Sequence, residues 1–199
     1  MLKLLVASAL LYLCYRGANY AYYNIFVPEH YEEIDYPTPN IGEGKNEVWA
    51  IVLHHTAGES LLGDLTQLTN KELEVSCHAL IARNGTRYLL ARPEQIAWHA
   101  GRSSLHGRTG LNNLAVGIEF EGNTMTAPLT RRQILSAIEY IRPIVKKYHI
   151  PIENIVTHEM VRKEWIESQQ DTTCLTKSDI TQQEYRRFLK EYKKNLSKK

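Results

Sequence analysis

Residues 48–55 read Val-Trp-Ala-Ile-Val-Leu-His-His, a nearly continuous apolar run that ends in two histidines. An apolar run of this length without polar alternation is typical of a strand that is buried on both faces. We therefore predict a central strand over residues 48–53, with His54 and His55 at its end. A strand buried on both faces needs cover on both sides of its sheet, and the rest of the chain has to supply that cover.

Further strands are predicted on both sides of this run. The apolar residues 78–82 and 88–91 are joined through Asn84-Gly85, a dipeptide that tolerates the positive φ angles of a tight hairpin turn. Residues 115–121 alternate, so that Val116, Ile118 and Phe120 are expected on one face and Gly117, Glu119 and Glu121 on the other. A short strand over residues 152–157 ends at His158.

Three segments have helical spacing. They cover residues 62–73, 130–148 and 181–195, and the second begins with a capping box formed by Thr130 and Gln133. Strands and helices in this order predict an α/β domain in which helices flank a central mixed β-sheet.

The N-terminus has a different character. Lys3 precedes an apolar run over residues 4–15, which is short for a membrane span and fits the apolar region of a secretory signal. We therefore predict a cleaved signal peptide or an uncleaved signal-anchor over residues 1–23, a linker or arm over 24–45, and the folded domain over 46–199. The expected location is outside the cytoplasm, in the periplasm or cell envelope or secreted.

Composition excludes some classes of protein. The 199-residue chain has a formal net charge of +2 and lacks a basic stripe interleaved with aromatic residues, which argues against a nucleic-acid partner. Its three cysteines, an odd and small number, do not form a disulfide framework.

Two histidines at strand ends are candidates for chemistry. His54 and His158 each follow a predicted strand, and Cys174 lies further along in a polar stretch. Imidazole nitrogen and thiolate sulfur are suitable zinc ligands, and three protein ligands leave a fourth position for water, as in catalytic zinc sites. Successive side chains of a strand point to opposite faces, so only one of His54 and His55 should enter the site. The spacing alone does not show which one.

Five motifs occur in order along the chain: IVLHHTAG at 51–58, VSCHALIARNG at 75–85, IAWHAG at 96–101, VGIEFEG at 116–122 and THE at 157–159. Together they resemble the type 2 N-acetylmuramoyl-L-alanine amidase family, which includes recycling and secreted amidases, phage endolysins and the animal peptidoglycan-recognition proteins. The resemblance runs from about residue 48 to residue 174 and implies the amidase type 2 fold, which is shared with the peptidoglycan-recognition proteins.

The resemblance also implies roles for individual residues. His54 and His158 take the positions of the first two zinc ligands, and Cys174 is the best match to the third. The Pro-Gly that follows the third ligand in the family is absent here, so Asp171 is the alternative ligand. Glu119 matches the general base.

Other positions follow from the same resemblance. Thr172 stands two residues before Cys174, where the family carries Lys or Thr, and is expected to hydrogen-bond the oxyanion. His99, Trp98, Asn113 and Cys77 are predicted on the substrate side. For Asn112 and Asn113 a role in shaping the turn is an equal alternative, and Cys77 also fits a small buried side chain.

The predicted function is that of a monomeric zinc amidase that hydrolyses the amide bond between the lactyl group of N-acetylmuramic acid and the L-alanine of peptidoglycan. The alternative is a peptidoglycan-binding module without activity, but relatives of that kind lose a zinc ligand. A phage endolysin and a bacterial envelope amidase both remain open.

Overall fold

The computed structural model describes residues 2–169 and 179–196. Within these ranges the strands are β1 (Glu33–Asp35), β2 (Ile41–Gly42), β3 (Ala50–His55), β4 (Ala79–Ile81), β5 (Arg87–Leu89), β6 (Ile96–Ala97), β7 (Ser104–Leu105), β8 (Arg108–Thr109), β9 (Ala115–Phe120) and β10 (Ile155–Thr157). The helices are α1 (Leu2–Ile25), α2 (Leu61–Thr69), α3 (Arg131–Tyr148), α4 (His158–Gln169) and α5 (Gln182–Leu196).

The described residues form a six-stranded central sheet in the order β1-β5-β4-β9-β3-β10. Strands β4, β9, β3 and β10 are parallel, whereas β5 pairs antiparallel with β4 and carries β1 parallel to itself. The predicted central mixed β-sheet flanked by helices is thereby confirmed. Every residue of β3 is buried, as its continuous apolar sequence requires.

The pleat of β3 determines which histidine enters which face. Ile51 and Leu53 belong to the core that the sheet shares with α3 and α5, whereas Ala50 and Val52 pack on the opposite face. Because side chains alternate along a strand, His54 continues the face of Val52 and His55 continues the face of Leu53. The same alternation puts Gly117 and Glu119 of β9 on the face of His54.

Local sequence signals account for the turns and helix ends. Strands β4 and β5 form the predicted hairpin, and Gly85 in its turn has φ +95°, a conformation that glycine adopts without strain. Helix α3 begins at the predicted capping box, in which the Thr130 side chain accepts the amide of Gln133 and the Gln133 side chain accepts the amide of Thr130. This helix contributes a stripe of isoleucines to the core.

Two segments differ from the expectation. Residues 24–45 were predicted as an arm, yet β1 from this segment is an edge strand of the central sheet. Helix α4 was not predicted, because Val161 is its one buried residue and the apolar periodicity is therefore weak.

Among the described residues, no helix combines the length and apolar character that a membrane crossing needs.

Candidate metal and catalytic centre

Three side chains from distant parts of the chain meet at the ends of β3 and β10. His54 ends β3 together with His55, His158 follows β10 as the first residue of α4, and Asp179 precedes α5. Nδ1 of His158 lies 3.1 Å from Oδ2 of Asp179, and Nδ1 of His54 lies 3.5 Å from the same oxygen. One ligand atom of each residue lies within 4.8 Å of the others, so the three could share one metal ion.

The backbone holds the carboxylate of Asp179 in this orientation. Its Oδ1 accepts the amides of His55 at 3.0 Å and Ile180 at 2.7 Å, which leaves Oδ2 directed toward the histidines. Burial alone raises the pKa of this carboxyl, but hydrogen bonds and charge interactions with His158 and His54 outweigh it and hold the pKa well below its usual range. Asp179 is therefore an anion under ordinary conditions and suits a cationic ligand.

The side chains of the adjacent residues His54 and His55 lie on opposite faces of the sheet and have different partners. His54 lies beside His158, as the resemblance implies, and both histidines contact Asp179. The ring centroids of the two histidines are 4.9 Å apart. His55 instead contacts Thr124, whose amide donates to Nδ1 of His55 over 3.1 Å. The alternation of β3 thus accounts for the choice that the sequence spacing left open.

Glu119 lies beside this cluster. It is the direct neighbour of His54 in the β3–β9 register and lines the same cavity, which has a volume of about 110 Å³. A carboxylate on the wall of this cavity is well placed to exchange a proton with a water molecule held near the cluster.

Trp98 and His99 form another part of the cavity wall. The loop that carries them is tightly fixed, because Ser76 Oγ accepts the amide of Trp98 and Asn112 Oδ1 accepts the amides of His99 and Ala100. Burial, together with the nearby His54 and His78, holds the pKa of His99 well below its ordinary value. The ring of His99 is therefore neutral.

The two asparagines of the next turn differ. Asn112 shapes the loop through these two hydrogen bonds, and it also lines a groove next to Trp98 and His99. Asn113 is exposed, and its carbonyl accepts the amide of Glu47.

Cys77 and His78 lie deeper in the molecule. Cys77 is fully buried in a cluster with Leu65, Leu68 and Leu80, and burial raises the pKa of its thiol. This position agrees with a small core side chain rather than with the substrate contact that was predicted. His78 is fully buried, accepts the amide of Gly117 at Nδ1 and donates to the carbonyl of Gln95 from Nε2, which makes it a satisfied core histidine.

Comparison with known proteins agrees with this arrangement. Residues 44–177 match the family described as N-acetylmuramoyl-L-alanine amidase. The chain belongs to this family. The match includes His54, Glu119 and His158 of this amidase chain and ends before Asp179.

Individual relatives are similar over part of their length. The N-acetylmuramoyl-L-alanine amidase AmiD of Escherichia coli K12 is 35% identical over 123 residues, which are 54% of this chain and 44% of AmiD. The 1,6-anhydro-N-acetylmuramyl-L-alanine amidase AmpD of Haemophilus influenzae is 40% identical over 88 residues, which are 44% of this chain and 47% of AmpD. The chain thus spans about half the length of the curated relatives it matches.

Solved structures share the fold. A complex of E. coli AmiD with the substrate anhydro-N-acetylmuramic acid-L-Ala-D-gamma-Glu-L-Lys aligns with a TM-score of 0.53 and 30% identity, over 61% of this chain and 52% of that one. A selenomethionine derivative of AmpD aligns with a TM-score of 0.56 and 20% identity, over 82% of this chain and 99% of that one. The predicted amidase type 2 fold is confirmed.

Asp179 is the residue of this candidate centre that was not predicted from the sequence. Cys174, Asp171 and Thr172, which were predicted as third ligand, alternative ligand and oxyanion partner, lie outside the described residues. A signal for Asp179 is nevertheless present, since Lys177 stands two residues before it, where the family carries Lys or Thr before its third ligand. It was missed because neither Cys174 nor Asp179 is followed by Pro-Gly, so this signal did not separate the two candidates.

The donor set of His54, His158 and Asp179 fits zinc. Two imidazole nitrogens and a carboxylate oxygen are a combination found in catalytic zinc sites, and such sites keep one further position for water or substrate. The cluster also opens onto a cavity, as a catalytic metal site requires. The residues present therefore match the cofactor that the family resemblance implies.

Proposed function

We propose that this chain is a zinc-dependent N-acetylmuramoyl-L-alanine amidase that hydrolyses the bond between the lactyl group of N-acetylmuramic acid and L-alanine in peptidoglycan or its fragments. The observation that carries the proposal is the convergence of His54, His158 and Asp179 beside Glu119 in one cavity, in a chain of the amidase family. The substrate in the AmiD complex contains this bond and supports the proposed substrate class.

In the proposed enzyme, three side chains bind the metal ion and two backbone amides orient one of them. His54, His158 and Asp179 hold the ion, and the amides of His55 and Ile180 keep the aspartate in position. When bound, zinc supplies a Lewis acid that polarises the scissile carbonyl and lowers the pKa of a water molecule.

Glu119 transfers a proton from the attacking water to the leaving nitrogen. Its carboxylate accepts a proton from the attacking water as the new C–O bond forms, and it returns that proton to the nitrogen as the C–N bond breaks. The products are the lactyl carboxylic acid and a stem peptide with a free L-alanine amine. The position of Glu119 next to His54 in the sheet supports this assignment.

A peptidoglycan-binding module without activity is the competing function. The presence of His54, His158 and an acidic third partner supports catalysis over binding alone, because each retained group is a suitable zinc ligand. Metal analysis separates the two, with about one zinc per chain expected for the enzyme and none for the binder.

Digestion of purified peptidoglycan, with product masses measured, tests the proposed reaction. We expect free stem peptides that begin with L-alanine, loss of that release on incubation with a chelator, and its recovery on addition of zinc. Products cut within the glycan or within the peptide would contradict the proposed bond. A protein that binds peptidoglycan and releases nothing would support the alternative module.

We further propose that the protein acts outside the cytoplasm. The apolar residues 4–15 support this location. Cell fractionation followed by mass measurement of the purified chain tests it: a shortened chain in the exported fraction indicates a cleaved signal, and a full-length chain in the membrane fraction indicates an anchor. Recovery of the full-length chain in the cytoplasm would contradict export.

A further inference from the structure

His99 was predicted as a substrate contact, but its ring is also bonded to one of the proposed metal ligands. Nδ1 of His99 lies 3.1 Å from Nε2 of His54, on the opposite side of the His54 ring from the atom that faces Asp179. The two rings are edge to face, with centroids 5.2 Å apart. A hydrogen bond in this position decides which nitrogen of His54 carries its proton.

The direction of this hydrogen bond follows from the other side of His99. Nε2 of His99 lies 3.4 Å from the carbonyl oxygen of Ala115, which accepts hydrogen bonds and never donates them. Nε2 of a neutral His99 therefore carries the proton, and its Nδ1 is an acceptor. His54 then donates from Nε2, and its Nδ1, which lies 3.5 Å from Oδ2 of Asp179, is the nitrogen that remains for a metal ion.

The strand beneath His99 is shaped to fit this ring. A Cβ atom on Gly117 of β9 would lie 2.4 Å from Cγ of His99 and 2.7 Å from its Nδ1, closer than real contacts allow. Glycine at this position thus permits the ring to lie against the sheet. The amides of His99 and Ala100, both bonded to Asn112, fix the backbone from the other side.

We infer that His99 is a positioning residue, which sets the tautomer and orientation of His54 so that the unprotonated Nδ1 is available to the metal. The inference rests on the proposed zinc function and adds to it the group that orients one ligand. Partners that orient a metal-bound histidine typically change metal affinity by about 10–100-fold when they are removed.

Two substitutions of His99, one without the acceptor and one that restores it, test the role. His99→Phe keeps a ring but removes the acceptor, whereas His99→Asn places an amide oxygen near the position of Nδ1. We expect His99→Phe to weaken zinc binding by about 10–100-fold in chelator competition, and His99→Asn to recover most of that loss. Long-range ¹H–¹⁵N spectra of the metal-free protein should show a proton on Nε2 of His54 in the wild type. In His99→Phe that proton should be lost from Nε2, because the Asp179 carboxylate near Nδ1 then favours a proton on Nδ1.

A second variant leaves His99 in place and moves its ring. Gly117→Ala should also weaken zinc binding, because the added methyl group displaces the ring. In a His99→Ala background the same change should have little further effect on zinc affinity, since the ring is already gone. Thermal unfolding of each variant separates this local effect from loss of the fold.

The outcomes distinguish the inference from the proposed function. A wild type without zinc would contradict the zinc amidase proposal, while the His54 tautomer would still be readable in the spectra. A wild type that binds zinc, with unchanged zinc affinity and unchanged His54 tautomer in His99→Phe, would overturn the positioning role. An increase in KM alone would then return His99 to a pure substrate contact.

Discussion

The backbone amide of His55 donates a 3.0 Å hydrogen bond to Oδ1 of Asp179, across 124 positions of the chain. This bond connects the end of the central strand to the segment before α5. It orients the carboxylate so that the other oxygen lies 3.1 Å from Nδ1 of His158. The backbone of His55, the neighbour of His54, thus positions Asp179 for contact with His54 and His158.

Replacement of Asp179 should identify the third zinc ligand. Asp179→Asn keeps an oxygen for the amides of His55 and Ile180 but removes the negative charge, so the fold should persist. Zinc affinity should fall by more than the roughly 10–100-fold that is typical of partners that only orient a ligand. Zinc per chain and chelator competition measure the change. Cys174→Ser and Asp171→Asn are the matched variants. Zinc lost in Cys174→Ser but retained in Asp179→Asn would assign the site to the cysteine.

Replacement of Glu119 should separate chemistry from metal binding. Glu119→Gln preserves size but cannot accept the proton of water, and we expect the release of stem peptides to fall by about 10²–10⁴-fold with zinc content unchanged. Glu121→Gln is the control on the same segment, since Oε2 of Glu121 accepts the amide of Arg83 and an amide oxygen can do the same. Equal activity of Glu119→Gln and wild type would remove Glu119 from the proton transfer.

The sheet was predictable because its residues carry strong local signals. The apolar run of β3, the Asn84-Gly85 turn and the alternation of β9 each determine structure within a few residues. Helix α4 gave no such signal, since it packs with Val161 as its one buried residue. The extent of the arm was misjudged because β1 has little apolar character and gains its place through pairing with β5.

The site was predictable only where motif and strand register agree. His54, His158 and Glu119 stand at or next to strand ends. The family resemblance was needed to choose His54 over His55 and to assign a role to Glu119. Asp179 has only the weak local signal of Lys177 before it, and its position is set by contacts with His55, His54 and His158 from distant parts of the chain. The role of His99 required the distance to His54, which sequence spacing does not give.

His78 should make the stability of the domain sensitive to acid. Burial lowers the pKa of this histidine to about 4, whereas the unfolded chain titrates near 6.5. The unfolded state therefore binds more protons between these values, and stability should fall as the pH drops from about 6.5 through about 4, by on the order of 3 kcal/mol for this group.

Denaturant unfolding of metal-free protein at several pH values measures this effect. His78→Asn provides the comparison, because its side-chain oxygen can still accept the amide of Gly117 while the titrating ring is gone. We expect the free energy of unfolding of the variant to depend less on pH over this range. Parallel pH profiles for the two proteins would show that His78 does not contribute.

The hydroxyl of Thr130 should stabilise the start of α3 and its contact with the sheet. Its Oγ1 accepts the amide of Gln133 and donates to the carbonyl of Arg83 at 2.7 Å, and the side chain is fully buried. Loss of a helix cap costs about 0.5–2 kcal/mol of stability. In Thr130→Ala the carbonyl of Arg83 also loses its hydrogen-bond donor, so we expect a loss of stability in the upper part of that range. Thr130→Ser keeps both hydrogen bonds and should retain most of the stability in urea unfolding. Thr130 packs against the β4–β5 hairpin and is not among the residues that line the cavity of the histidine cluster, so zinc affinity should be the same in both variants. Equal stability of the alanine and serine proteins would mean that the cap contributes little.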